Sequence, residues 1–433
     1  MAYISRICVE NCRNVRELEI DLDAAGPEEG VEASEQARPL FRHLILTGRN
    51  GSGKSGVLKS VAACLRESLR TRDSRLGMVV DQILQTIEEP DVDNENLGAI
   101  RLTCMPIKGR PLVLSKSNGP VDTSILRLSH EELKERFASG ALIAVYLPAR
   151  RTLHQQQVRG PSTMPLKAAD LAPTAELAPY LLQFLVNRHT EMAYAQADGD
   201  SEAAERIRLW FERFWDRIKT LMEDPGLDIK YDRRAFNFTF TRSDGYTFDL
   251  SSLADGHASA LALLAEILVR IDAAQQAVAD FSFEPEGVVV VDEIETHLHL
   301  SLQEQILPLV TTMFPRLQFI VATHSPAVIA SIPGAIVYDL GKKTQNLSDA
   351  YRGIPYGILM TEHFGISSDI DLDSTRKLLR FRELAQQPTW SPSEEQERRA
   401  LGAELSARSE VLATEVWMVE ERLGTSNVQL AGE

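Results

Sequence analysis

With 433 residues, 44% of them apolar and 25% charged, the chain has the size of about two to three globular core units and contains no apolar run near the roughly 18 residues of a membrane helix. Its net charge of −16 argues against a surface built mainly to coat nucleic acid, because that affinity comes from an excess of Lys and Arg. Cys8, Cys12, Cys64 and Cys104 fit no zinc spacing, and the start MAYISRICVENCRN lacks a basic stretch followed by an apolar one, so a reducing, cytoplasmic setting is expected.

Residues 2–22 read as extended, with Glu17, Glu19 and Asp21 alternating against Leu18, Ile20 and Leu22, the period of a strand with one wet face. The acidic, Gly- and Pro-punctuated stretch 24–39 reads as a surface loop. FRHLILT (41–47) is a short apolar strand, and 54–69 is a helix with apolar residues at Val57, Leu58, Val61, Ala62 and Leu65. Short strands return between 97 and 146, with an acidic helix (130–138) before the last of them. Residues 165–223 are helical, and Trp210, Phe211, Phe214 and Trp215 form an aromatic stripe whose helical spacing suits packing better than base stacking. Strand texture resumes over 227–250. A helix is predicted over 258–276, a buried strand over 287–291, a helix over 300–314 and a strand over 318–322. The tail beyond 346 is acidic and largely helical; Pro392 just inside Ser391 marks a helix start.

GRNGSGKS (48–55) matches Gly-x-x-x-x-Gly-Lys-Ser between a strand and a helix. Glycines at 48 and 53 allow backbone angles that turn successive N–H groups inward on phosphate oxygens, across Gly48, Arg49, Asn50, Gly51, Ser52 and Gly53 and into Lys54, Ser55 and Gly56. Lys54 can reach the β- and γ-phosphates of ATP, Ser55 offers a hydroxyl to Mg²⁺, and the helix start adds its positive dipole end. The same chain holds VVVVDEIETHLH (288–299), whose four valines read as a strand buried on both faces. Carboxylates at its carboxyl end stand where a doubly wound sheet binds its ligand: Asp292 suits Mg²⁺, Glu293 suits the attacking water. QFIVATHSP (318–326) ends another apolar strand in His324, placed to hydrogen-bond a γ-phosphate. A zinc reading of His297 and His299 with Glu295 is poor, because residues two apart on a helix do not share a face.

With these motifs, the chain resembles the ABC-class ATPase heads of the RecF, SMC and OLD group. The nearest likeness is to the stand-alone ATPase heads of anti-phage systems such as the PtuA subunit of Septu and the AriA subunit of PARIS. The likeness spans 1–165 and 225–345 and rests on NCRNVRELEIDL, GRNGSGKS, LADGHASALALLAEI (253–267), DEIETHLH with SLQEQILPLV, and ATHSP. It implies an α/β fold: an ABC-type P-loop ATPase head, a mixed β-sheet core with antiparallel N-terminal strands, plus a helical insert and a helical C-terminal tail. The implied segments are 1–164 and 227–345 for the two parts of the head, 165–226 for the insert and 346–433 for the tail.

The resemblance also implies a homo-oligomer, at least a dimer, in which two heads sandwich ATP head to tail. Asp255, Gly256 and His257 of one copy would close on the nucleotide of another. The family carries Leu-Ser-x-Gly in that segment, whereas this chain has Leu253-Ala254-Asp255-Gly256, which lacks the serine hydroxyl and points to weaker closure or slow hydrolysis. The nuclease part of OLD proteins and the coiled coil of SMC proteins are missing, so any destructive activity is expected in a separate effector, a nuclease. Alternatives are a RecF-like DNA clamp, with Arg66, Arg70, Arg72, Arg75, Arg150 and Arg151 as a basic patch, and a nucleotide-bound scaffold that scarcely turns over. A transporter motor is disfavoured by the amino terminus and the insert, and no membrane contact is expected.

Overall fold

The computed structural model describes residues 3–12, 14–22, 41–69, 99–105, 112–116, 135–137, 139–153, 157–164, 176–278, 284–364, 370–387 and 389–430. The stretch 24–39 and most of the helix expected over 130–138 lie outside these residues, as do Arg70, Arg72 and Arg75. Two compact units divide the chain, Met1–Ile354 and Pro355–Glu433.

In the first unit, β1 (Tyr3–Cys12) and β2 (Val15–Asp21) form an antiparallel pair, and β4 (Ala99–Met105) and β5 (Leu112–Lys116) extend it to a sheet in the order β2-β1-β4-β5. The alternation read in β2 is real: Val15, Leu18 and Ile20 are buried while Arg16, Glu17 and Glu19 face water. A second sheet has the order β13-β12-β3-β11-β10-β6 and is parallel apart from β13 (Thr344–Leu347). Its members β3 (Leu44–Thr47), β6 (Leu142–Leu147), β10 (Glu286–Val291), β11 (Leu317–Ala322) and β12 (Ile336–Asp339) are buried at every position. Burial on both faces is why they are written as unbroken apolar runs. Helix α1 (Lys54–Leu69) packs against strands of both sheets, its Val57, Leu58, Val61, Ala62, Cys64 and Leu65 entering one core with Ile7, Val9, Leu46 and Val290. This is the expected mixed-sheet core with an antiparallel amino-terminal layer.

The helical insert consists of α2 (Leu181–Asp198) and α3 (Ser201–Leu221), separated by Gly199 in the left-handed conformation and by Asp200, whose side chain caps α3 by accepting from Ala203 N. The aromatic stripe on α3 is packing: Phe211 and Phe214 are buried, and Trp215 lies 5.2 Å from Phe238 of β8 (Asn237–Thr241). β8 is the centre of a small antiparallel sheet with β7 (Asp228–Asp232) and β9 (Thr247–Asp249). The helix expected over 258–276 is α4 (Asp255–Val278), starting three residues earlier. Buried ion pairs tie it to the insert: Arg188 meets Asp272 at 3.2 Å, and Glu266 pairs with Arg270 while accepting from the backbone N–H of Leu177 (2.6 Å) and Ala178 (2.7 Å).

Composition put the start of the tail at 346, but the first unit runs on to Ile354. β13 pairs with β12, and the buried Ser348 donates its Oγ to Ile332 O at 2.7 Å. A four-residue strand whose side chains are all at least partly exposed leaves no apolar pattern to read. The first unit also holds α5 (Leu300–Met313), the helix expected over 300–314, and the short α6 (Pro326–Ile329); the second unit is helical, with α7 (Tyr356–Phe364), α8 (Leu372–Ala385), α9 (Pro392–Arg408) and α10 (Glu410–Leu430). Ser391 and Glu394 form a capping box at α9, the helix start expected there, and an extended Ser409 separates α9 from α10. Among the described residues no helix is long and apolar enough to cross a membrane.

Candidate nucleotide site

The segment between β3 and α1 turns on three glycines with positive φ: Gly48 (128°), Gly51 (77°) and Gly53 (101°). At Gly53 a Cβ would stand 2.7 Å from Val15 Cγ2, so both angle and space demand glycine. The turn between β1 and β2 supports the loop from outside, Asn14 Nδ2 donating to Gly51 O at 2.7 Å. Arg49, Asn50 and Gly51 are exposed, whereas Lys54 is almost fully covered and Gly56 is buried in α1. Lys54 Nζ donates to Gly48 O (2.9 Å) and Arg49 O (3.3 Å), which holds the ammonium over the loop. Burial lowers its pKa, against the opposing pull of Glu295, Asp292, Glu293 and Asp339. The first amides of α1 have no carbonyl one turn earlier to bond, and Ser52 Oγ is buried without a partner, so the loop has donors left for an anion.

β10 ends beside this loop because the parallel order β3-β11-β10 brings three strand ends to one edge. Asp292 N–H donates to Leu147 O at 2.9 Å, and Asp292 Oδ1 accepts from Ser55 Oγ at 3.1 Å, joining two segments 237 residues apart. Burial raises the Asp292 carboxyl pKa, the Ser55 hydrogen bond lowers it, and Glu293 next door raises it again. A half-buried hydroxyl and a buried carboxylate facing each other are suitable protein ligands for Mg²⁺, which favours oxygen and takes its remaining positions from phosphate and water. Glu293 is half-buried with φ 44°, uncommon for a residue with a side chain. Thr296 donates twice to its carbonyl, from N–H (3.0 Å) and Oγ1 (2.9 Å).

His324 follows β11 and is half-buried. Its pKa is lowered by burial and by the Lys54 charge, with Glu293 opposing, so it is neutral near pH 7. Lys54, Ser55, Asp292, Glu293 and His324 therefore gather at one strand edge. Asp255, Gly256 and His257 belong elsewhere: Gly256 lies against the His297 carbonyl, where an added Cβ would stand at 2.7 Å, and Ser259 Oγ donates to Thr296 O. His257 has a buried Nε2 without a partner, and its ring meets His299 edge-on at 6.1 Å. His299 Nδ1 is hydrogen-bonded with Ser301 Oγ at 3.0 Å, and among the described residues no His, Cys, Asp and Glu cluster is arranged to hold a metal, so the zinc reading has no support.

Two residues have roles here other than those weighed for them in the sequence. Glu295 accepts from Thr323 Oγ1 (2.8 Å) and from His324 N–H, linking the β10 and β11 loops, and burial raises its pKa. Arg151, placed in a surface basic patch by its LPARRTL context, is buried, and its guanidinium donates to the carbonyls of Pro148, Asp292, Glu293 and Ile294. Desolvation lowers its pKa to about 10, which leaves it charged. An arginine just past a buried strand is the signal that pointed inward.

A family model described as "AAA domain, putative AbiEii toxin, Type IV TA system" matches residues 174–330. The chain is 21% identical to the Retron Vc95 probable ATPase of Vibrio cholerae serotype O1 biovar El Tor over 347 residues, 66% of each protein. It is 31% identical to the Retron Ec83 probable ATPase of Escherichia coli over 186 residues, 42% of this chain and 33% of that one. The Septu protein PtuA of Bacillus mycoides (strain KBAB4) is 27% identical over 210 residues, 46% of this chain and 29% of that protein. The chain thus spans between 29% and 66% of these relatives' lengths. Among solved structures, an Smc head bound to the C-winged helix domain of ScpA aligns with a TM-score of 0.40 and 14% identity, covering 80% of this chain and 96% of that one.

Proposed function

We propose that the chain is an ABC-like switch ATPase of the type found in anti-phage systems, one that binds ATP with Mg²⁺, assembles in an ATP-dependent way and controls a separate effector, a nuclease, in phage defence. The observation that carries the reading is the 3.1 Å contact between Ser55 Oγ and Asp292 Oδ1, which joins the phosphate loop to the acidic strand end. Lys54 and the first amides of α1 bind the triphosphate, and Lys54 neutralises charge on its outer phosphates. Ser55 and Asp292 hold Mg²⁺, which when bound withdraws charge from the phosphate oxygens. Glu293 orients the attacking water and takes its proton. His324, neutral and beside Lys54, donates a hydrogen bond to the γ-phosphate and registers its loss.

In this reading two copies assemble by bringing the 255–257 segment of one over the nucleotide of the other. That segment packs on residues 296–299 of its own chain, beyond the acidic loop 292–295 that follows β10. Lys54→Ala should abolish ATP binding, and Glu293→Gln should bind ATP, slow turnover to a small residual rate and accumulate the assembled form in native mass spectra. Unchanged turnover and assembly in Glu293→Gln would show that the base has been misassigned.

A scaffold that scarcely turns over is the second reading, favoured by Ala254 where the family has serine. It expects wild type to retain unhydrolysed ATP and to assemble as Glu293→Gln does. The DNA-clamp reading loses Arg151 from its basic patch, because that side chain is buried under the acidic loop.

A further inference from the structure

The backbone around Glu293 adopts a conformation that its own sequence does not favour. A positive φ at a residue with a Cβ is strained and persists only where the surroundings over-determine it. The surroundings here are Arg151. From the end of β6 its Nη1 donates to Asp292 O at 2.9 Å, and its Nη2 donates to Glu293 O at 3.1 Å and Ile294 O at 3.2 Å. Three successive carbonyls, one on each side of Glu293 and its own, thus point at a single planar fork. Ile294 N–H donates to Ala322 O at 3.2 Å, and the Glu295 carboxylate grips Thr323 and His324, so the far side of the loop is anchored as well.

We infer that Arg151 is a positioning residue for ATP hydrolysis, its guanidinium holding the backbone on both sides of Glu293 so that the carboxylate stays aimed at the phosphate loop. The inference rests on Glu293 being the base. A guanidinium suits the task because its donors are fixed in one plane, whereas an ammonium on a flexible stem supplies charge without that geometry. Arg151 reaches Asp292 through its backbone carbonyl alone, while the Asp292 carboxylate is held by Ser55, and no hydrogen bond described for Arg151 goes to the loop 48–55, so it can affect the chemical step without affecting ATP binding. A displacement of about 1 Å in a reacting group can cost about 100-fold in rate.

The test uses the full chain with Arg151→Lys, Arg151→Met and Glu293→Gln, and Arg151→Lys combined with Glu293→Gln. For each, ATP affinity, kcat, KM and Tm are measured. We expect both Arg151 variants to lose about 10- to 100-fold in kcat while ATP affinity stays within about twofold. Arg151→Lys should add no further loss in the Glu293→Gln background, since a group that acts only by aiming Glu293 has nothing left to aim. Three results would overturn the inference: Arg151→Lys at wild-type kcat, losses in kcat and ATP affinity that fall together with Tm, or losses that multiply with Glu293→Gln. Both Arg151 variants failing to fold would likewise assign the residue to the core alone. Glu293→Gln at wild-type turnover, or a wild type that does not hydrolyse ATP, removes the base and this inference together. An inactive Glu293→Gln beside an active Arg151→Lys removes only the inference.

Discussion

Gly53 shows how narrow the tolerance of the phosphate loop is. Its φ of 101° and the 2.7 Å separation between a virtual Cβ and Val15 Cγ2 act together, so Gly53→Ala must move either the loop or the β1–β2 turn. Gly53→Ala is expected to lose at least about tenfold in ATP affinity, about 1.4 kcal/mol, measured by titration with a fluorescent nucleotide. His43 is a residue whose protonation reports on folding. Its Nδ1 accepts from Phe319 N–H at 3.0 Å, which only the neutral ring can do, and burial lowers its pKa from 6.5 to about 4. The unfolded chain therefore takes up the proton first. The stability His43 contributes is complete above pH 6.5 and is lost as pH falls towards 4, at most about 3 kcal/mol. Asp272, raised by burial to about 6, works in the opposite sense over an overlapping range. The clean readout is the urea-unfolding difference between wild type and His43→Leu, which should shrink from pH 7 to pH 4.

At the level of elements, α4 is a lever between the insert and the acidic loop. Its first turn lies against residues 296–298, and its middle carries Glu266 and Asp272, which bind the insert, with Arg270 paired to Glu266. Glu266 accepts two backbone N–H groups that no helix satisfies and neutralises the buried Arg270. Glu266→Ala is expected to cost about 3 kcal/mol, more than Glu266→Gln, in equilibrium urea unfolding, because it leaves buried donors and a charge uncompensated. Helix and strand assignments for α1, α3, β10 and β11 were readable from apolar period and length alone. β13 was not, since its register comes from β12 and not from any pattern of its own.

In the whole molecule, two compact units meet the sequence near 354/355. The second has its own apolar centre of Leu378, Phe381, Leu405, Leu412 and Val416. Phe381→Ala should cost about 3–5 kcal/mol within that unit and leave ATP affinity unchanged. Calorimetry should show one transition lowered and another, raised by ATP, unmoved. A single transition shifting as a whole would mean that the two units unfold together.

GRNGSGKS, the four valines before Asp292–Glu293 and the strand ending at His324 can each be read from the chain, because each depends on a local requirement: backbone angles, burial on both faces, or a polar residue at a strand end. What the chain could not express is which of these requirements meet in space. The parallel strand order brings Ser55 to Asp292 across 237 residues, and it turns Arg151 from an apparent surface cation into a buried fork on the acidic loop. It likewise makes Glu295 the link to His324. Long-range hydrogen bonds leave no periodicity in the sequence, so only the folded chain decides them.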